Sequence, residues 1–150
     1  MGRTGLILAL LGLGLSSGGA GAQSNGSPTP SYKVLVNVAN PVNTLSRNEV
    51  SRIFLKKVTM WQNATPVALV EQRTTSPVRE AFTNDVHGRQ VASVTTYWQQ
   101  MIFSGRAVPP PEKASDAEVV AFVAENSAAI GYVSAGATLP PRVKVVALTK

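Results

Sequence analysis

The residues of this chain best suited to chemistry lie in one short run, Gln72-Arg73-Thr74-Thr75-Ser76-Pro77-Val78-Arg79. It gathers three hydroxyls, a carboxamide and two guanidinium groups around the start of a helix. Ser76 reads as the N-cap and Pro77 as the first helical residue. The first N–H groups of a helix have no internal partner, and its dipole favours negative charge there. The chemistry this supports is recognition of an oxyanion. Ser76 and its neighbouring N–H groups would be donors, with Arg73 or Arg79 as counter-charge; Thr75 and Gln72 complete the candidate anion-binding set. A purely structural reading of the same residues is a Ser-Pro helix cap beside two solvated arginines, and local features leave both open.

Composition removes most other chemistries. There is no cysteine, which excludes disulfides, thiolate zinc sites, a cysteine nucleophile and a lipidated cysteine. The single histidine, His87, excludes multi-histidine metal sites and sits just before Gly88, where it suits the last carbonyls of a helix. Glu112, Asp116 and Glu118 lie close in sequence, but Glu118 belongs to a capping box, and no carboxylate pair has a catalytic rationale. Ser104 and Ser134 lack a Gly-x-Ser-x-Gly context. The chain is expected to be no enzyme and to need no cofactor or metal. Its net charge of +6 is spread along the sequence without interleaved aromatics, so no nucleic-acid partner is expected.

The elements that would position the run follow from periodicity. Lys33–Val38 is β-branched and apolar and reads as a strand buried on both faces. Ser46 and Glu49 form a capping box, with Leu45 and Val50 placed as a staple, and Val50, Ile53 and Phe54 share one helical face. Thr65–Val70 reads as a second strand running into the Ser76-Pro77 helix, whose stripe is Val78, Ala81, Phe82 and Val86, closed by Gly88. A third helix spans about Gln90–Phe103 with Val91, Val94, Trp98 and Ile102 on one face. Ser115 and Glu118 form a second capping box ahead of Val119, Phe122 and Val123. Strands at Ala129–Val133 and Val143–Leu148 follow. The order predicts an α/β fold, a small mixed or parallel sheet flanked by helices. Trp98 reads as core, while Trp61 reads as either a lid or a packing residue.

The first 22 residues hold one basic residue, a run of about ten apolar ones and an Ala20-Gly21-Ala22 end. These are the parts of a cleaved signal peptide, and the run is too short to span a membrane. Residues 23–31 read as a flexible leader and 32–150 as the domain. Loss of Arg3 leaves 13 basic against 8 acidic residues, net +5. The mature protein is expected to be periplasmic or secreted, without a lipid anchor or stable membrane insertion.

Three segments together resemble the periplasmic phosphate-binding proteins of ABC transporters, which have the type 2 periplasmic binding protein fold. Leu45-Ser46 through Arg52-Ile53-Phe54-Leu55-Lys56-Lys57 and Thr59-Met60-Trp61 is similar to the family's Leu-Thr…Ile-Phe-x-Gly-Lys…Trp stretch. Ser76-Pro77-Val78-Arg79-Glu80-Ala81-Phe82 is similar to its Ser-Gly-Thr-Arg-x-x-Phe helix start. Ala129-Ile130-Gly131-Tyr132-Val133 matches its Ala-Ile-Gly-Tyr-Val. The resemblance covers residues 33–148 and implies a phosphate-like oxyanion held at Ser76. Pro77 and Val78 replace the family's glycine and threonine, Gln72 stands at its arginine position, with Arg73 one place later, and Lys56 stands at a glycine.

Family members have two lobes and about twice this length, so the chain reads as a single lobe of that fold with weak capture of anion. The resemblance implies an ABC permease as partner. The alternative is a lobe that has lost ligand capture and serves as a protein-interaction module in the cell envelope. A third arrangement is a homo-oligomer that rebuilds a two-lobe cleft.

Overall fold

A computed structural model describes residues 31–150. The signal peptide expected at 1–22, and all but the last residue of the leader expected at 23–31, lie outside the described residues.

The chain forms β1 (Tyr32–Asn37), β2 (Thr44–Ser46), α1 (Arg47–Phe54), β3 (Ala68–Leu69) and β4 (Glu71–Gln72). These are followed by α2 (Pro77–Phe82), a π-helical turn (Thr83–His87), α3 (Val91–Phe103), β5 (Glu112–Lys113), α4 (Asp116–Glu125), β6 (Ala129–Ser134) and β7 (Val143–Thr149). Five strands make one mixed sheet in the order β2-β7-β1-β6-β3. β1 is antiparallel to both β6 and β7, β2 is parallel to β7, and β3 is parallel to β6. β4 and β5 pair as a separate parallel ladder.

Helices cover both faces of the sheet, as the alternation of elements predicts. Successive side chains of a strand point to opposite faces. Val34 and Val36 of β1 therefore pack with Ile130, Tyr132, Val50, Phe54 and Phe82 on one side. Leu35 packs with Val133, Val143, Val119 and Val123 on the other. The expectation of a small mixed sheet flanked by helices is borne out.

The helix starts are set locally. Ser46 Oγ accepts from the Glu49 N–H while Glu49 returns a bond to the Ser46 N–H, and Val50, Ile53 and Phe54 are buried. At α4, Ser115 accepts from the Glu118 N–H, but Glu118 reaches back to the Ala114 N–H at 2.6 Å rather than to Ser115. Gly88 has φ of 60°, the left-handed geometry that stops the π-helical turn. Lys56 takes φ of 53° just beyond α1. That conformation suits glycine and costs an L-residue about 1–2 kcal/mol.

Three strands are not visible in the sequence. β2, β4 and β5 have two or three residues each, too few for a period to show. The single strand expected at Thr65–Val70 divides instead. β3 joins the main sheet and Val70 donates to the Ile130 carbonyl, whereas the Glu71 N–H turns to Pro111 and the Arg73 N–H to Lys113. This break sends the chain off the sheet and into the Ser76 turn. On α3, Val94 and Trp98 are buried with Leu55, but Ile102 is half exposed, and Met101 rather than Ile102 packs against that cluster in the last turn.

Gly131 marks a close approach. A Cβ added there would lie 2.7 Å from Val70 Cγ1 and 2.9 Å from Val119 Cγ1. Gly131→Ala is expected to destabilise the domain by about 1–3 kcal/mol through overpacking. Chemical denaturation checks this, and an unchanged midpoint would contradict it.

Candidate functional site

The Gln72–Arg79 run sits where β4 ends and α2 begins. Ser76 occupies the N-cap position in extended conformation, and Pro77 is the first helical residue. Its side chain makes no cap bond, contrary to the local expectation. Ser76 Oγ instead donates to Gln72 Oε1 at 3.2 Å. The Ser76 N–H is held by the Arg73 carbonyl, which folds Arg73–Ser76 into a tight turn.

A groove of about 540 Å³ opens beside this turn. Thr74, Thr75 and Ser76 form one wall, Gln90, Val91 and Ala92 another, and Glu80 and Asn84 complete the lining. The second wall is the start of α3, which also lacks a side-chain cap. The groove thus lies between the N-terminal ends of two helices, neither capped by its own side chain. Glu80 adds a carboxylate to the same lining.

Of the residues singled out in the sequence, Thr75 and Ser76 come together on the groove wall. Arg73 is exposed beside the turn but is not among the lining residues. Gln72 is buried directly behind Ser76.

Arg79 goes elsewhere. It is not a solvated arginine: its guanidinium turns inward and lies 2.7 Å from Glu71, with both side chains 3% exposed. It also donates to the Gln72 carbonyl at 2.8 Å and approaches Glu112 at 3.7 Å. Burial raises the Glu71 carboxyl well above its ordinary value, Arg79 opposes this, and Glu112 adds to it. Arg79 therefore fixes β4 and the turn from beneath.

Two residues of the polar cluster escaped the sequence reading. Gln72 Nε2 donates to Asp116 Oδ1 at 2.5 Å, and Asp116 also accepts from the N–H and the hydroxyl of Ser134. Burial pushes the Asp116 carboxyl up, but the bonds from Ser134 and Gln72 outweigh it and hold it below its usual range. Asp116 and Ser134 stand 44 and 62 positions after Gln72, and only the crossing of β4, α4 and β6 joins them. No local signal in the sequence could have paired them.

His87 and Trp61 are held by contacts within the fold. His87 does not bond the last carbonyls of its helix. Its Nδ1 lies 2.8 Å from Ser51 Oγ, and its ring meets Phe82 edge-on. Phe82 stacks on Tyr132 at 3.8 Å and meets Phe54 and Tyr32 edge-on, so the far end of α2 is anchored in the core. Trp61 is a packing residue: it is buried and its indole N–H donates to the Ala128 carbonyl at 2.9 Å. Among the described residues, no group of histidines or carboxylates could hold a metal, and no helix is long and apolar enough to cross a membrane.

A mixed sheet covered on both faces, with a polar turn and groove beyond the end of one strand, defines an α/β lobe with a candidate ligand site. The family model described as a PBP superfamily domain matches residues 33–148, and the chain belongs to that superfamily. Its fold is similar to that of an ABC-type phosphate transport receptor from Vibrio cholerae, at 20% identity and a TM-score of 0.62, over 79% of this chain and 46% of that one. It is also similar to a putative phosphate ABC transporter substrate-binding protein with bound phosphate from Clostridium perfringens, at 21% identity and a TM-score of 0.60, over 79% and 44%. A third is a possible phosphate-binding protein from Planctomyces limnophilus, at 18% identity and a TM-score of 0.60, over 80% and 42%. The chain thus spans less than half the length of these solved structures. Among curated proteins compared by sequence, none matches.

Proposed function

We propose that this domain is an exported oxyanion-binding lobe of the phosphate-uptake type. The observation that carries the reading is the groove between two helix starts that lack side-chain caps, with Thr75 and the Ser76 hydroxyl on its wall. Such a groove offers free N–H groups and two favourable dipole ends to one anion. Arg73 supplies positive charge at the rim. Phosphate is the ligand class favoured by the solved structures of similar fold, which are described as phosphate transport or phosphate-binding proteins. An ABC permease is the matching partner, and the periplasm the matching compartment.

Binding is expected to be weak, because Pro77 has no N–H to donate, Val78 has no hydroxyl, and Arg79 is engaged by Glu71. Titration calorimetry with inorganic phosphate at low salt tests the reading. Ser76→Ala is expected to weaken binding by about ten- to a hundredfold, the value of one hydrogen bond to a charged ligand. Absence of heat up to millimolar phosphate, or binding unaffected by Ser76→Ala, would refute it.

A further inference from the structure

We propose that the end of α3 is a docking tip for an anionic lipid surface, with Ile102, Phe103 and Val108 entering the headgroup boundary and Arg106, Lys56 and Lys57 meeting the negative headgroups. The inference stands on this end of the helix alone and is independent of the Ser76 groove.

The first observation is a concentration of apolar surface. Among the described residues six large hydrophobic side chains are exposed, and three of them lie between positions 102 and 108. Ile102 is 50%, Val108 63% and Phe103 91% exposed. They flank the turn that ends α3. The helix itself is held to the lobe by Val94 and Trp98 on Leu55, with Tyr97 and Met101 beside them. Phe103 projects into solvent, and packing of the fold gives it no role.

The turn has already satisfied its own backbone. The Gly105 N–H donates to the Ile102 carbonyl and the Arg106 N–H to the Met101 carbonyl, while Gly105 takes φ of 66°. These two bonds and the left-handed glycine are the Schellman closure of a helix. The Ser104 N–H donates to the Gln100 carbonyl. Backbone groups without partners are costly against lipid, and these have theirs before any contact is made.

Charge selects the partner. Residues 50–70 and 86–111 include Arg52, Lys56, Lys57, Arg89 and Arg106 and no acidic residue. Lys56 and Lys57 follow Leu55, whose cluster takes in Met101 before the turn and Ala107 after it. Together with Arg106 they flank the apolar tip. Among the described residues, none of the three pairs with a carboxylate. A second copy docked tip to tip would bring like charges together. Three side chains also fall well short of the roughly 800 Å² per partner that a specific protein interface buries. A lipid surface needs no such area, because apolar insertion and attraction of cations to anionic headgroups each add to binding.

The test is co-sedimentation of the full chain with lipid vesicles. One set holds equal parts of phosphatidylglycerol and phosphatidylcholine, the other phosphatidylcholine alone. Binding is expected to the anionic set only, and to be largely lost in molar salt, where charge reaches only about 3 Å. Phe103→Ser is expected to weaken it at least about tenfold, the value of burying one such side chain. Arg106→Glu is expected to weaken it about twentyfold, since one cation is lost and one anion gained near the surface. Both residues are exposed, and thermal melting confirms that each variant is folded. Failure of the parent to bind anionic vesicles at low salt would overturn the proposal, as would equal binding to both sets. Binding unchanged by Phe103→Ser would overturn it as well, because charge alone would then explain adsorption. A parent that ignores vesicles but forms a dimer on size exclusion, lost in Phe103→Ser, would assign the tip to a protein contact and sink the lipid reading.

Discussion

Arg79→Leu is expected to destabilise the domain by about 3–5 kcal/mol near pH 8, the loss typical when one partner of a buried ion pair is removed. The physical reason is what remains. Glu71 and Arg79 are each 3% exposed and 2.7 Å apart, so the leucine strands a carboxylate in a site that water does not reach. The Gln72 carbonyl loses its 2.8 Å donor as well. Glu71 can escape only by taking up a proton, and burial already raises its carboxyl. A carboxyl whose pKa is raised on folding withdraws stability as pH rises, so the penalty in Arg79→Leu should grow from mildly acidic to mildly basic solution. Urea denaturation across that range measures it. A double-mutant cycle with Glu71→Gln isolates the pair, because the double variant leaves only the partly exposed Glu112 carboxylate behind. A loss below about 1 kcal/mol at pH 8 would show that the pair is dispensable.

The second large effect concerns acid. His87 is mostly buried against Phe82 and Ser51. Burial, then the positive charges of Arg79, Arg89 and Lys57, lowers its imidazole from 6.5 to about 4. The sign follows directly. Between these values the unfolded chain binds a proton that the folded chain refuses, so stability is full above about pH 6.5 and falls as pH drops toward 4. The displacement corresponds to roughly 3 kcal/mol. His87→Gln keeps a polar partner for Ser51 and cannot take up the proton. Its unfolding free energy should therefore lack the His87 contribution to the pH profile. Glu71 titrates nearby with the opposite sign, so the quantity to read is the difference between the two profiles. Identical profiles for parent and variant would overturn the assignment.

Most of the larger elements were legible in the sequence, for reasons confined to a few neighbouring residues. The Ser46–Glu49 capping box, the apolar run of β1 and the Gly88 stop each act within one turn or one strand. Ala129–Val133 reads as a strand from its own apolar run, and the same residues carry the most specific part of the family resemblance. Ile102 shows the limit of periodicity. It continues the stripe of Val94 and Trp98 but is exposed, while its neighbour Met101 packs on the Leu55 cluster, since the side of a helix that meets a neighbour depends on where that neighbour lies.

The candidate site was legible only in outline. Ser76 and Thr75 announce a polar helix start, and the structure brings them to one groove with the start of α3. Arg73 and Arg79 look equivalent in sequence, yet one is exposed and the other is locked to Glu71. The difference is geometric. Arg79 lies one helical turn past the Ser76 turn, on the face that looks back at β4 and β5. Nothing in the spacing of Asp116 and Ser134 pairs them with Gln72.

By itself, then, the sequence determined the local events. These are where helices begin and stop, which strands are buried on both sides, and which short segment carries hydroxyls and positive charge at a helix start. Capping, periodicity and composition act over a few residues, so they survive without knowledge of the fold. The tertiary structure alone decided which of those groups remain free. A hydroxyl, a carboxamide or a guanidinium has the same chemistry wherever it lies. Whether it meets a ligand depends on whether a partner from a distant strand or helix, here Glu71 for Arg79 and Asp116 for Gln72, reaches it first.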